Sequence, residues 1–149
     1  MRFVIQRVSS ASVTVEGEVV GSVEQGFLVL VGIRDDDTRE IADRLVSKLC
    51  KLRIFEDADG KSNLSLQDVG GSLLMVSQFS LFADCKKGNR PSYIRAASGD
   101  FAREMYEYVL QKAKEEIPCV EAGIFGADMQ VSLVNDGPFT ILYDSDEMM

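Results

Sequence analysis

The chain has 149 residues, of which 46% are hydrophobic and 27% charged, a composition typical of one globular domain with its own core. Its net charge of −8 argues against general nucleic-acid binding, because contacts to phosphates require cations. The sequence contains no histidine, which excludes Ser-His and Cys-His nucleophilic catalysis and histidine-ligated metals.

The first part of the chain alternates between apolar and polar residues and is predicted to form strands. Met1–Val8 and Ser12–Val15 have a period near two, and Val19–Val23 follows the predicted hairpin turn Glu16-Gly17-Glu18. Phe27–Ile33 is a nearly continuous apolar run. Such a run favours a central strand that is buried on both faces.

A helix is predicted to begin at Asp35–Thr38, because Asp37 and Glu40 have the spacing of a capping box with Asp37 as the cap. Its apolar stripe consists of Ile41, Leu45, Leu49 and Leu52. Lys51–Phe55 is predicted to be a short strand. The acidic turn Glu56–Lys61 lacks the ligand spacing of a calcium loop and is predicted to be a hairpin connection.

The second half of the chain combines strands with one long helix. Ser72–Ser77 is predicted to be a strand, and Gly99–Lys114 a helix capped by Ser98. One face of this helix carries Phe101, Met105, Tyr108, Val109 and Lys112. Ile124–Val134 and Phe139–Tyr143 are predicted to be the last two strands.

This element order predicts an α+β fold with a single domain over residues 1–149. We expect a curved, antiparallel-rich β-sheet or barrel with two main helices packed on it, and a frayed tail at residues 144–149. The three cysteines are widely spaced and indicate neither a zinc site nor a disulfide framework. The apolar runs are short and the first residues have no signal-peptide pattern, so we expect a cytoplasmic protein without a membrane segment.

The segment Ser77–Leu81 interrupts an apolar run with polar residues. If the strand continued, Gln78 and Ser80 would share one face, as in a half-exposed strand whose polar side meets water. A serine nucleophile would need an adjacent base, and no histidine is present. A backbone N–H of this segment could instead polarise a carbonyl group, in the manner of an oxyanion hole.

Two further features accompany this segment. A group of cations follows it, formed by Lys86, Lys87, Arg90, Arg95 and Arg103. On an acidic protein, such a local patch suits a small footprint such as one RNA end, although a solvated loop would have the same composition. Asn135–Pro138 consists entirely of turn-forming residues and on that basis is a tight turn between strands.

Three segments in order resemble the D-aminoacyl-tRNA deacylase family over essentially the whole chain. They are the opening Met1–Val8, the Ser77–Leu81 core with the following Asp84–Gly88, and Asn135–Thr140. The resemblance implies an enzyme that hydrolyses the ester bond of D-aminoacyl-tRNA at its 3′ end, as chirality proofreading in translation quality control. It also implies a homodimer with active sites at the dimer interface, and no cofactor or metal.

The resemblance also implies roles for particular residues. The catalytic wall would be Ser77, Gln78, Phe79 and Ser80, which receive the terminal adenosine and the ester. The substrate-binding residues would be Gly137, Pro138, Arg7, Lys86 and Lys87. A cis Gly137-Pro138 bond would reach into the partner's pocket, hold the amino group through carbonyl oxygens and exclude L side chains, while the RNA 2′-hydroxyl assists proton transfer.

The chain departs from the family pattern at two positions, and other functions stay open. Ser80 stands where threonine is usual, and Phe139 replaces a small branched residue after the Gly-Pro pair. The same pocket could clear glycine from mischarged tRNA, since glycine has no side chain to exclude. A non-catalytic RNA-end or nucleotide-binding module would also fit a sequence without an evident base.

Overall fold

The computed structural model describes residues 1–149 and contains eight strands and four α-helices. The strands are β1 (Arg2–Val15), β2 (Glu18–Val23), β3 (Gly26–Gly32), β4 (Phe55–Glu56), β5 (Ser62–Leu64), β6 (Ser72–Ser77), β7 (Val120–Ala122) and β8 (Gln130–Asp144). The helices are α1 (Arg39–Cys50), α2 (Leu66–Val69), α3 (Gly99–Glu116) and α4 (Ser145–Met148), with a 3-10 turn at Phe79–Phe82.

The long strand β1 organises the main sheet, whose order is β2-β1-β3-β6-β7 with β8 also paired to β1. The first half of β1 pairs with β3 and its second half with β2, so β8 takes its other side along nearly the whole length. Pairs that involve β1 are antiparallel, whereas β3–β6 and β6–β7 are parallel. The expected single-domain α+β architecture with a curved sheet is therefore confirmed, as a mixed sheet.

Both faces of the sheet are covered by apolar side chains. Phe27, Val29 and Val31 of β3 belong to a core of 25 buried residues shared with the helices. Leu28, on the opposite face, belongs to a second cluster of seven buried residues inside the curved sheet. The sheet curls so far that β2 approaches β7. A Cβ on Gly21 in β2 would lie only 2.9 Å from the carbonyl oxygen of Ala122 in β7. This double burial explains the continuous apolar run in β3.

Helix α1 begins one residue later than its sequence predicts. Thr38, not Asp37, is the N-cap, and its hydroxyl accepts a hydrogen bond from the Ile41 N–H at 3.3 Å. The buried Asp37 carboxylate instead accepts the backbone N–H of Arg34 at 2.7 Å. The N-cap was therefore misassigned by one residue, and α1 has no capping box, because Ile41 stands three residues after Thr38. Leu45 and Leu49 are buried as predicted.

Helix α3 occupies nearly its predicted range, but its buried face is rotated. The buried side chains are Ala102, Met105, Tyr106, Val109 and Ala113. Phe101 is exposed, and the Tyr106 hydroxyl donates to the Met75 carbonyl oxygen at 2.9 Å beneath β6. Ser98 occupies the cap position without a side-chain hydrogen bond.

Three short elements differ from the prediction. The strand expected at Lys51–Phe55 is limited to β4, because only Phe55 and Glu56 meet a partner, the strand β5. The hairpin connection between them was predicted correctly. Helix α2 was not predicted, although Ser65 and Asp68 form its capping box. Residues 124–129 form a loop rather than the start of a strand.

The tail that was expected to fray instead forms the short helix α4. The guanidinium of Arg34 donates two hydrogen bonds to the Asp146 carboxylate, at 2.9 and 2.7 Å. Ser145 is buried. The prediction of fraying rested on the polar composition of the tail. Composition does not reveal an ion pair with a residue 112 positions away. None of the helices has the length and apolar character required to cross a membrane.

Candidate active site

The Ser77–Leu81 segment changes direction where β6 ends. Ser77 is the last paired residue of β6, opposite Val31, and the Gln78 N–H still donates to the Val31 carbonyl oxygen at 2.8 Å. The chain then forms the 3-10 turn, which packs on Gly32. A Cβ on Gly32 would lie 2.9 Å from Leu81 Cβ, so a larger residue would collide with the turn. The segment therefore does not continue β6 as an alternating strand.

The 3-10 turn leaves two backbone donors free. Neither the Phe79 N–H nor the Ser80 N–H has a backbone or side-chain acceptor, whereas the Leu81 N–H donates to the Gln78 carbonyl oxygen at 3.3 Å. The first N–H groups of a helical turn have no partner within the turn. Two adjacent free donors are the arrangement that can bind a carbonyl or oxyanion oxygen.

The Ser80 hydroxyl is occupied by a neighbouring amide. The Gln78 side-chain nitrogen donates to Ser80 Oγ at 2.7 Å. No lysine or carboxylate lies within hydrogen-bond distance of this hydroxyl, so nothing in the structure acts on it as a base. The arrangement does not support a serine nucleophile.

A cavity of about 550 Å³ opens beside this turn. Of the predicted wall, Ser77, Gln78 and Phe79 line it, whereas Ser80 does not. The other lining residues are Val76, Tyr93, Ala96, Ala97, Ser98, Gly99, Phe125, Gly126, Ala127, Met129 and Val131. The lining is largely apolar with a few polar groups, as small-molecule sites usually are. No group of three or more acidic or cysteine side chains is placed to hold a metal ion.

Two aromatic side chains of the cavity were missed by the sequence analysis. The ring of the exposed Phe79 meets Tyr93 edge-on, with centroids 4.8 Å apart and an interplanar angle of 74°. Phe125 forms another part of the lining. Tyr93 and Phe125 were not predicted as site residues, because both lie in loops without periodicity. Aromatic faces of this kind can stack on a nucleotide base.

The predicted cations surround the cavity unevenly. The guanidinium of Arg103 lies 4.9 Å from the centroid of the Phe125 ring, at the cavity wall. Lys86 and Lys87 lie in an exposed loop closed by backbone hydrogen bonds and do not line the cavity. None of the five cations between residues 86 and 103 has a carboxylate oxygen within 4 Å, so none of them forms an ion pair.

The Gly137-Pro138 pair lies in a bulge of β8. Val8 pairs with Asn135 and Gln6 with Thr140, so residues 136–139 face Arg7 alone. The Gly137-Pro138 peptide bond is cis, and both residues are exposed. The Asn135 side chain closes the bulge, because its Oδ1 accepts the Phe139 N–H at 2.8 Å.

Arg7 supports this bulge from the buried side. Its Nε donates to the Asp136 carbonyl oxygen at 3.0 Å, and another guanidinium nitrogen donates to the Ile54 carbonyl oxygen at 2.5 Å. The guanidinium lies over the Phe139 ring, 4.9 Å from its centroid. Phe139, the departure from the family pattern, therefore packs on Arg7. A Cβ on Gly137 would lie 3.3 Å from Arg7 and 3.0 Å from the Phe139 nitrogen.

Within one chain, the Ser77–Leu81 segment and the Gly137-Pro138 bulge lie apart. Arg7 is level with Phe27 in β3, and Phe27 is level with Leu73 in β6. Ser77 lies four residues farther along β6, about 13 Å in an extended strand, with β1 and β3 between the two segments. No residue of the bulge lines the cavity.

Comparisons with known proteins agree with this geometry. The family model described as D-Tyr-tRNA(Tyr) deacylase matches residues 4–144. A solved structure titled "c-Myc DNA Unwinding Element Binding Protein" is 39% identical, with a TM-score of 0.91 over 97% of this chain and 98% of that chain. A structure described as a probable eukaryotic D-amino acid tRNA deacylase shares the fold at 18% identity, with a TM-score of 0.83 over 95% of this chain and 97% of that chain. The chain belongs to the D-Tyr-tRNA(Tyr) deacylase family and is a hydrolase of the D-aminoacyl-tRNA deacylase class.

Proposed function

We propose that this enzyme removes D-amino acids from tRNA by main-chain chemistry, without a side-chain nucleophile. The observation that carries the proposal is the pair of free N–H groups on Phe79 and Ser80, beside an apolar cavity of about 550 Å³. Family membership supplies the substrate class. The proposed place of action is the cytoplasm, where aminoacyl-tRNA is used.

In the proposed reaction, the Phe79 and Ser80 N–H groups hold the ester carbonyl oxygen and stabilise the negative charge that forms on it. A water molecule attacks the carbonyl carbon and loses a proton, and the bond from that carbon to the ribose oxygen breaks. The ribose oxygen takes up that proton, and the amino acid leaves as a carboxylic acid, which releases its proton to the solvent and becomes a carboxylate. The vicinal 2′-hydroxyl of the RNA relays the proton, so the enzyme contributes mainly position and polarisation.

The cavity is proposed to hold the terminal adenosine of the tRNA. Phe79 and Tyr93 offer exposed aromatic surface, and Phe125 lies deeper in the lining. Stacking on aromatic side chains contributes about 1–3 kcal/mol per base in other single-stranded nucleic-acid sites. Arg103 beside Phe125 would neutralise the phosphate of this nucleotide. Lys86 and Lys87, in the exposed loop outside the cavity, would contact phosphates farther along the RNA.

The proposed active form is a homodimer in which the bulge of one subunit completes the partner's cavity. β8 is paired only to β1, so its other edge is free. This strand also exposes Val134 and Leu142, at 56% and 59% of their surface. A free edge with exposed apolar residues is a surface that proteins usually cover. The separation of Gly137 and Pro138 from their own cavity gives a second reason.

Chirality would be read by the backbone of the bulge. Carbonyl oxygens of the Gly137-Pro138 segment would accept hydrogen bonds from the substrate ammonium group, and Arg7 would hold the segment in place. Rigid backbone would then occupy the space of an L side chain, while a D side chain projects to solvent. Such a pocket selects by exclusion. Glycine esters would also be hydrolysed, because glycine has no side chain to exclude.

A time course with D-tyrosyl-tRNA and glycyl-tRNA tests the proposal. Release of both amino acids at limiting enzyme is the expected result, and the two rates rank the substrates. The alternative function, an RNA-end or nucleotide-binding module, fits the absence of a side-chain base. It predicts tRNA binding without release of either amino acid, which would refute the proposed hydrolysis.

A further inference from the structure

A second concave surface lies on helix α1, away from the cavity. We call it the α1 groove; it has a volume of about 870 Å³. It is lined by Glu40, Asp43, Arg44, Ser47, Lys48, Lys51, Leu52, Arg53 and Tyr143. Four of these nine residues are cations, which is unusual on a chain with a net charge of −8. The α1 groove is therefore a locally positive surface on an acidic protein.

The cations of the α1 groove have no acidic partner in direct contact, and Arg53 is coupled to the Asp68 carboxylate only at longer range. None of the four takes part in an ion pair within 4 Å. Arg44 donates to the Met148 carbonyl oxygen and Arg53 to that of Asn63, whereas the ammonium groups of Lys48 and Lys51 have no protein acceptor. Lys48 and Lys51 are therefore free to bind a ligand, whereas the two arginines also hold protein oxygen atoms.

The two acidic residues of the groove, Glu40 and Asp43, offset only part of this charge. Asp43 accepts the Tyr108 hydroxyl at 2.6 Å and lies 3.8 Å from the Lys112 ammonium group, so its carboxylate is directed away from the four cations. Glu40 lies in the first turn of the helix, where an acidic side chain favours the helix dipole.

The spacing of the cations fits an extended anion. Arg44, Lys48 and Lys51 follow one another at intervals of four and three residues; Arg44 and Lys48 share one face of α1, and Lys51, the C-cap residue, continues the row. The row is about 10 Å long, given a rise of 1.5 Å per residue. A single small anion needs donors that converge on one point, whereas a phosphodiester backbone presents charges in a row. Leu52 and Tyr143 add apolar surface for the sugar edge.

The α1 groove is connected to the Gly137-Pro138 bulge through the backbone. Arg53 in the groove is followed by Ile54, whose carbonyl oxygen accepts the hydrogen bond from Arg7. Arg7 in turn holds Asp136 in the bulge. In the proposed function, on which this step rests, the bulge contacts the substrate, so these hydrogen bonds connect the groove to the substrate-binding segment.

We propose that the α1 groove binds the phosphodiester backbone of the tRNA whose ester is hydrolysed. Lys48 and Lys51 make the principal contacts, because they are exposed and have no protein acceptor, and Arg44 and Arg53 flank them. The groove thereby places the acceptor arm, while the cavity reads only the last nucleotide and its amino acid.

The test compares two double variants in full-length protein. K48Q/K51Q removes the two lysines from the groove, and K61Q/K114Q removes the same charge from two exposed lysines outside it. Circular dichroism and thermal unfolding check the fold of both. The first measurement is the Kd for uncharged tRNA at several salt concentrations, which does not depend on turnover.

K48Q/K51Q is expected to weaken tRNA binding at least tenfold at low salt, while K61Q/K114Q changes the Kd less than twofold. The slope of log K against log salt should become shallower by about 1.4–1.8, the release expected for two phosphate contacts. An unchanged Kd and slope in K48Q/K51Q would overturn the proposal. Tighter binding of a DNA hairpin than of the matching RNA hairpin, lost in K48Q/K51Q, would overturn the assignment to tRNA.

The second measurement separates the groove from the active site. The value of kcat/KM for D-tyrosyl-tRNA should fall with the affinity in K48Q/K51Q, whereas kcat/KM for D-tyrosyl-adenosine, which is too short to reach the groove, should change less than twofold. Equal loss on both substrates would overturn the proposal. If the wild-type protein hydrolyses neither ester but loses tRNA binding in K48Q/K51Q, the proposed function fails and the groove assignment stands.

Discussion

The side-chain amide of Gln78 donates a hydrogen bond of 2.7 Å to the hydroxyl oxygen of Ser80. This contact uses a lone pair of the atom that a nucleophilic mechanism would require to attack. It places Ser80 as a structural partner of Gln78 at the edge of the cavity. The proposed polarisation of the ester carbonyl rests instead on the free backbone N–H groups of the same turn.

Ser80→Ala should retain substantial deacylase activity, because the Ser80 N–H is unchanged. The loss of one side-chain hydrogen bond costs about 1 kcal/mol, which corresponds to a decrease in kcat/KM of at most about fivefold if all of it falls on the transition state. Steady-state rates on D-tyrosyl-tRNA measure the effect. Complete inactivation of a folded Ser80→Ala protein would restore the nucleophile mechanism.

Gly137→Ala should reduce the activity on D-aminoacyl-tRNA or relax the discrimination against the L form. The φ angle of Gly137 is +142°, a region that L residues rarely adopt, and the added Cβ would lie 3.0 Å from the Phe139 nitrogen. Strain of this kind costs about 1–3 kcal/mol. Rates on both enantiomers, together with urea unfolding, measure the change.

Gly60→Ala is the matched control for this substitution. Gly60 also has a positive φ angle, +76°, but no atom lies within 4 Å of an added Cβ. It should therefore show backbone strain without any change in the ratio of D to L rates. A Gly137→Ala protein with the same ratio as Gly60→Ala would contradict the role of the bulge in chirality.

Replacing the 2′-hydroxyl of the terminal ribose by hydrogen should slow hydrolysis. The structure has no histidine, and no side-chain base contacts the Phe79–Phe82 turn, so the RNA is the nearest source of a proton relay. A general acid–base contribution is typically about 10²–10⁴-fold in rate. Single-turnover rates on 2′-deoxy and ribose forms of D-tyrosyl-tRNA measure it, and equal rates would remove the RNA from the mechanism.

Stability should decrease at alkaline pH through Cys50. Burial in the core, together with the nearby Glu116 carboxylate, raises the pKa of its thiol from 9.0 to about 12. The unfolded chain therefore loses the thiol proton near pH 9, while the folded chain keeps it. The stabilisation is present below pH 9 and is lost as the pH rises toward 12, at no more than about 1.4 kcal/mol per pH unit.

Cys50→Ala serves as the comparison for this effect. Urea unfolding under reducing conditions at pH 8 and pH 10 should show a larger decrease in the free energy of unfolding for the wild type than for Cys50→Ala. Burial also raises the pKa of Tyr143 to about 12; this burial is common to both proteins, whereas the smaller contribution from a charged Cys50 is absent in Cys50→Ala. The same decrease in both proteins would exclude Cys50 as the source.

Periodicity predicted the parts of the fold that local patterns determine. The strand Ser72–Ser77 was predicted with the observed bounds, and the apolar run of β3 was correctly assigned to a central strand. The turn after Ser77 was not predicted, because the alternation of polar and apolar residues continues through it. Leu81 in this turn packs closely on Gly32. This is a contact between distant parts of the chain, which no local pattern contains.

The candidate site was predictable only in part, for the same reason. Gly137 and Pro138 were predicted as part of a turn, because turn-forming residues interrupt apolar strands there. The sequence did not show that Arg7 links the bulge to the Ile54 carbonyl oxygen, a contact across 47 residues. Nor did it show that Tyr93 and Phe125 meet at the cavity, since both lie in loops whose arrangement depends on the whole sheet.

We propose that this enzyme recognises its substrates by the chirality of the amino acid rather than by side-chain identity. The most direct test is the initial rate of deacylation of D-tyrosyl-tRNA and of L-tyrosyl-tRNA by the purified protein under identical conditions. Rapid hydrolysis of the D ester with the L ester intact is the predicted result. Equal rates on the two esters, or no hydrolysis of the D ester, would contradict the account.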